Sequence, residues 1–313
     1  DGTGILKGHV TGWDGWRGRL SLRTESFDLP HLIRRLRAPK PDPSTTFSTG
    51  RTRIFELLSK SDVLVEMSAR QVFWETIDLG EFQADMVYQN NSFRIDKAVF
   101  TAPDGLIKLS GTLTGDNDNG ISLLTYIKFN QKPLDAILQG LDIHTDRING
   151  ILSLEGGGFF RGRNKVEIIR NLAGKFNLEI TEGEVRKSNV IINVLDFLSI
   201  QNIFQKRPPD ILKEHFYFKN IQGYVTIKNG VFTTDRLFMK SPVFNAAAQG
   251  RFDFPRNQLN TLIGVQPLNT IDGIVSKIPI IGHILTGKKK TILVYYFKVQ
   301  GKPDDVIVKQ VPF

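Results

Sequence analysis

The chain has 313 residues, 40% hydrophobic and 23% charged, a balance too apolar for a disordered segment and too interrupted by charge for a membrane-embedded bundle. A formal charge of +9 favours anionic partners such as nucleic acid, phospholipid headgroups or acidic glycans, and the absence of cysteine excludes disulfides, zinc–thiolate sites and thiol catalysis. With 22 Phe, 28 Gly and only 3 Met, the composition leans towards strands and tight turns, because aromatic side chains suit a pleated, half-buried surface.

Asp1 to Gly8 already reads as strand and turn, with no signal peptide and no membrane-length apolar run. The chain is therefore expected to be a segment of a longer protein, with any membrane anchor outside it. Strict alternation begins at once. Gly18, Leu20 and Leu22 alternate with Arg17, Arg19, Ser21 and Arg23, which writes a strand with one apolar and one charged face. Asp28 is placed to cap a short helix carrying Leu32, Ile33 and Leu36 on one side. The proline-rich stretch Pro39 to Pro43 follows and reads as a stiff linker.

The alternation then resumes, with Ile107, Leu109 and Leu113 on one face and Ile121, Leu123, Ile127 and Phe129 on another. It continues through Phe176, Leu178 and Ile180, through Val225 and Ile227, and through Phe244, Phe252 and Phe254. Asp104-Gly105, Asn119-Gly120, Asn149-Gly150, Glu182-Gly183 and Asn229-Gly230 supply turn chemistry, so hairpins are expected to join the strands. Long helical crossovers are mostly absent, which favours an antiparallel meander over a parallel α/β fold. Two further amphipathic helices are expected, one from Ser188 and one from Thr270, the second carrying Ile271, Ile274, Val275 and Ile278.

The chemical motifs fail on inspection. Gly282 to Lys288 fits most of a phosphate-binding loop, but Lys289 stands where the magnesium-binding hydroxyl belongs, and the loop leads into a strand. Asp116 to Gly120 resembles a calcium loop, yet Ile127 occupies the place of the bidentate Glu, so a solvated hairpin turn is the better reading. Gly156, Gly157 and Gly158 lack the dinucleotide fingerprint and suggest a bulge or sheet corner. His9, His31, His144, His215 and His283 are scattered, and no nucleophile elbow is present. Trp13, Trp16, Arg17 and Arg19 lie close together, as in a single-strand nucleic-acid binder, but basic residues are mixed with 32 acidic ones and most Phe falls on the apolar face. A non-enzymatic protein without cofactor or metal is expected, and nucleic acid is not an expected partner.

From about Ile148 onwards the chain resembles the C-terminal region of the AsmA-like bacterial envelope proteins (AsmA, YhdP and TamB type), relatives of the bridge-like lipid-transfer proteins. The resemblance is carried, in order, by INGILSLEG (148–156), LAGKFNLEITEG (172–183), INVLDFLS (192–199), IQGYVTIKNGV (221–231), KSP (240–242), AQGRFD (248–253), VQPL (265–268), IPIIGHILTG (278–287) and KVQG (298–301). Before Ile148 only the strand patterning is compatible, and the basic run Lys288, Lys289 and Lys290 is no part of the pattern. Three segments are accordingly expected: a sheet segment with a short helix and linker at 1–46, an antiparallel sheet at 47–147, and the AsmA-like region at 148–313, possible parts of one continuous sheet.

The resemblance implies a mainly β fold, a long antiparallel sheet curled into an open apolar groove of the β-taco, repeating β-groove type, with a few short amphipathic helices. It implies phospholipid as cargo, a periplasmic body and an inner-membrane anchor in a preceding segment. Acyl chains would then lie against Leu20, Leu22, Ile107, Leu109, Leu113, Ile121, Leu123, Ile127, Phe129, Phe176, Leu178, Ile180, Val225, Ile227, Phe244 and Phe252. Ile280, Ile281, Lys288, Lys289 and Lys290 would meet a membrane surface or an envelope protein partner. The alternative function is a scaffold or chaperone for outer-membrane protein assembly, working by strand addition at a sheet edge.

Overall fold

The structure is a computed structural model and describes residues 4–12, 14–29, 60–74, 77–90, 92–116, 120–140, 148–186, 215–267, 294–303 and 305–311. Pairing follows chain order: among the described residues 15 strands form a sheet in which each strand bonds to its sequence neighbours, the first and last being the outermost. The fold is mainly β, as the alternation requires. The chain divides into two compact units, the first comprising residues 1–130 and 157–164 and the second residues 131–156 and 165–313.

In the first unit lie β1 (Gly4–Thr11), β2 (Arg17–Asp28), β3 (Asp62–Trp74), β4 (Ile77–Gln89), β5 (Ser92–Ala102), β6 (Gly105–Asp116) and most of β7 (Gly120–Pro133). One pair departs from the expected antiparallel meander. β2 and β3 run parallel, Leu20 facing Val65 and Leu22 facing Met67. Parallel neighbours need a long crossover instead of a hairpin, and about thirty residues separate these two strands. The proline-rich stretch at 39–43 and all of the helix expected after Asp28 except Leu29 lie outside the described residues.

Because partners across a ladder share a face, the registers sort every side chain. Leu22, Met67, Ala84, Ala98, Leu109 and Ile127 form one row across β2 to β7. A second row runs Leu20, Val65, Met86, Ile95, Gly111 and Thr125. A third runs Gly18, Val63, Tyr88, Phe93, Leu113 and Leu123, and a fourth Ala69, Phe82, Phe100, Ile107 and Phe129. None of these residues is charged. The reverse face carries Arg19, Arg23, Glu66, Asp85, Lys108 and Lys128.

The second unit holds α1 (Leu134–Gly140), part of β8 (Ile151–Gly162), α2 (Lys165–Arg170), β9 (Ala173–Arg186), β10 (His215–Lys228), β11 (Val231–Lys240), β12 (Phe244–Asp253), β13 (Gln258–Pro267), β14 (Tyr295–Lys302) and β15 (Asp305–Val311). Its rows include Ile180, Ile221, Met239, Ala246, Val265 and Tyr295, and also Leu178, Gly223, Leu237, Ala248, Ile263 and Phe297. Again no member is charged. The helices expected from Ser188 and Thr270 lie outside the described residues, and α1 and α2, the short helices seen among the described residues of this unit, were not read from the sequence.

Two turns take the expected form. Pro103 and Asp104 turn β5 into β6, and Asn229 and Gly230, with φ of 53° and 72°, turn β10 into β11 with the paired positive φ of a tight hairpin. Glu182-Gly183 is a correction: it lies inside β9, not between strands. Glu182 takes φ of 50°, and the ladder to β10 omits Glu182 and Lys219. The kink swaps the faces, so that Ile180 and Ile221 on one side of it and Phe218 and Phe216 on the other, of opposite parity, are all apolar positions. Phe216 stacks on Phe244 of β12 at 5.0 Å, which places it on the same apolar side.

Candidate functional site

The feature shared by both units is an uncharged apolar face with no second layer of sheet upon it among the described residues. In a sandwich or closed barrel such a face is core and is buried throughout. Here most of it is only half-buried. Leu20, Leu22, Leu109, Leu113, Ile121, Leu123, Ile127, Phe129, Phe176, Leu178, Val225 and Phe252 all keep partial access to solvent, whereas Ile107, Ile180, Ile227 and Phe244 are buried. Within the first unit the registers bring Leu20, Leu22, Ile107, Leu109, Leu113, Ile121, Leu123, Ile127 and Phe129 onto one face. Within the second they do the same for Phe176, Leu178, Ile180, Val225, Ile227, Phe244 and Phe252. Ile280, Ile281, Lys288, Lys289 and Lys290 lie outside the described residues.

Glycine shows which way these sheets bend. A Cβ on Gly111 would come within 2.8 Å of Thr125 Cα, and one on Gly250 within 2.6 Å of Thr261 Cα, each against the backbone of the next strand. Both glycines belong to apolar rows. The neighbouring backbone therefore tips towards the apolar side at these points, which leaves no room for a side chain and folds the sheet locally towards that face.

Several residues of the same faces escaped the sequence reading. Met67, Ala84, Met86, Tyr88, Phe93 and Ala98 continue the rows across β3 to β5. Their signal is present in the alternation Val63, Val65, Met67, Ala69, but register shifts at Asp85/Met86 and Ile95/Ala98 break the period within and between strands. In the second unit Leu259, Ile263, Val265 and Phe297 were missed likewise.

In the rows set by the registers charge lies on the polar face, while Lys132 and Glu184, near strand ends, are buried. Arg94 and Asp96 pair at 2.8 Å, and the Arg94 hydrogen bond holds the Asp96 carboxyl below its ordinary range. At the paired ends of β9 and β10, Glu184 accepts from Arg186 at 2.7 Å and from Asn149 at 3.2 Å, while His215 Nδ1 stands 3.4 Å from its other oxygen. The Arg186 bond depresses the Glu184 carboxyl, and its burial acts in the opposite direction. A depression of about 530 Å³ in the first unit is lined by polar groups, among them Glu25, Arg70, Gln71, Asp78 and Glu81, and is open to solvent. Its polar side chains are largely satisfied within the surface, Arg70 pairing with Glu25 at 3.4 Å and Gln71 donating to Asp78 at 2.7 Å. Among the described residues no three His, Asp or Glu side chains are grouped to hold a metal, and no helix is long and apolar enough to cross a membrane.

Among the described residues, faces of this kind define a β protein whose apolar side carries no second layer of sheet. The chain belongs to the YhdP protein family, which it matches over residues 5–308, and this family is a group of bacterial envelope proteins. The match takes in the first 147 residues, where the sequence resemblance rested on strand patterning alone. Neither the curated proteins nor the solved structures gave a match.

Proposed function

We propose that this chain is a non-enzymatic part of a phospholipid conduit between the inner and outer membranes, with acyl chains held against the apolar faces and headgroups left in water. It would work in the periplasm, held to the inner membrane by a segment outside this chain. The observation that carries the reading is the uncharged, half-buried face repeated in both units. Apolar surface in that state is unfavourable in water, and each methylene laid against it gains about 0.8 kcal/mol. Because the lining offers hydrocarbon and very few polar groups, it distinguishes a chain from a headgroup but hardly one chain from another, which suits cargo that must move along. Membership of a bacterial envelope family supports the same reading.

The test is mass spectrometry of what copurifies with the chain after mild extraction. Phospholipid in stoichiometric or greater amount is expected, and exchange for radiolabelled lipid on incubation with vesicles. Lipid-free protein that takes up no lipid from vesicles overturns the proposal.

A further inference from the structure

The apolar face of the first unit is not uniform from one strand end to the other. At the end marked by the fourth row, Ala69, Val72, Phe82, Phe100 and Ile107 form a buried cluster, against which Phe27, Leu29 and Leu79 also pack. Phe82 touches Phe100 with ring centroids 4.7 Å apart and Phe27 at 5.7 Å, so this end is closed by hydrocarbon rings that carry no polar atom. At the opposite end of the same strands, Tyr88, Phe93, Leu113 and Leu123 are half-buried, and Val63 beside Tyr88 is the buried member of that row.

The aromatic chemistry changes along the same direction. The cluster at the closed end has Phe as its only aromatic, with Trp74 half-buried at the tip of β3 beyond it. The open end uses Tyr88, whose ring lies 4.7 Å from Phe93 and whose phenol pKa is raised by partial burial, together with Trp16, 42% exposed in the loop beside β3. The Trp16 backbone is fastened to that strand end by Ser61 Oγ at 2.8 Å and by the Asp62 amide at 2.7 Å. Tyr and Trp, with an apolar body and a polar tip, are the side chains suited to the level where hydrocarbon meets water, and Phe is suited to the hydrocarbon itself.

From these two gradients we infer that the first unit orients its lipid across the strands, acyl-chain ends against Phe82, Phe100 and Phe129, and the headgroup emerging beside Tyr88 and Trp16. The inference rests on the lipid-groove reading and adds an orientation to it. Each lipid crosses the sheet parallel to the strands, so movement from strand to strand keeps the headgroup wet throughout and never carries it over the uncharged rows. Phe129 and its neighbours then limit how far a chain reaches.

The experiment places the photo-crosslinker p-benzoylphenylalanine at Phe93 or at Phe129, two half-buried Phe positions near opposite ends of the face. The full chain is loaded from phosphatidylethanolamine vesicles carrying a tritium label either in the headgroup or at the terminal methyl. After crosslinking, phospholipase cleavage and proteolysis show which part of the lipid remains attached. Capture at Phe93 should retain the headgroup or glycerol portion at least fivefold more often than capture at Phe129, which should retain the chain end. Equal or reversed attachment, with crosslinking efficient at both positions, overturns the orientation and leaves the groove reading intact. No crosslinking at either position in folded protein overturns both.

Discussion

The two units present the same kind of surface by different means. In the first, simple alternation keeps one phase along each strand apart from local bulges, and the face grades from a closed Phe cluster to an open end. In the second, the phase switches inside β9 and β10 at Glu182 and Lys219, and part of the face is sealed, with Phe216, Phe244, Ala246 and Val265 all buried. What the difference teaches is that an uncharged face does not depend on an unbroken period-two pattern. A single residue at positive φ transfers the apolar duty to the opposite parity, and the face continues.

If the second unit is sealed where Val265 lies and the first is open where Leu123 lies, the same substitution should act differently at the two places. Val265→Asp puts a carboxylate at a position 1% exposed and is expected to cost at least about 3 kcal/mol, read as loss of the folded baseline in urea. Leu123→Asp leaves the carboxylate hydrated at a half-buried site; folding should change by less than about 1.5 kcal/mol while copurifying lipid falls severalfold. Comparable unfolding by both would show the first unit to be a closed core.

Truncation sharpens the contrast within the second unit. Phe216→Ala removes a buried ring stacked on Phe244 and should cost about 3–5 kcal/mol, whereas Phe252→Ala at a half-buried position should cost about half as much. Denaturant midpoints of the two variants check this. Gly111→Val tests the bend of the first unit, since the new side chain meets the backbone of β7; a loss of about 1–3 kcal/mol is expected in thermal melts, with little change from the polar-face control Lys108→Gln.

The smallest effect concerns the ends of β9 and β10. Glu184 has its folded pKa depressed below the ordinary 4.5, chiefly by Arg186, so the unfolded chain binds its proton first as pH falls. The stability it contributes is complete above the unfolded value and is lost as pH drops through the folded one. Glu184→Gln should therefore lower stability at pH 7 by on the order of 1 kcal/mol and flatten the acid limb of a plot of urea midpoint against pH. An unchanged acid limb would show that other carboxylates dominate it.

Much of this was legible beforehand because alternation is a local code. Arg17 to Arg23 and Ile121 to Phe129 specify which side chains share a face wherever the strand is placed, and Asn229-Gly230 specifies its own turn. Met86 and Ala98 were not legible as members of the apolar face, because bulges disturb the period there and neither residue marks a strand face strongly. Glu182-Gly183 misled for a related reason: positive φ suits a hairpin and a kink equally, and the surrounding ladder chooses between them.

The sequence by itself determined that this is a β protein with uncharged faces, since period two and the placement of Lys, Arg, Asp and Glu are properties of the chain alone. Whether those faces would be core or accessible surface was decided only in three dimensions, because burial depends on what packs against a face from elsewhere. The parallel pairing of β2 with β3, the closed Phe end beside the open Tyr88 end, and the meeting of Phe216 with Phe244 all depend on contacts between residues far apart in sequence, which no local pattern encodes.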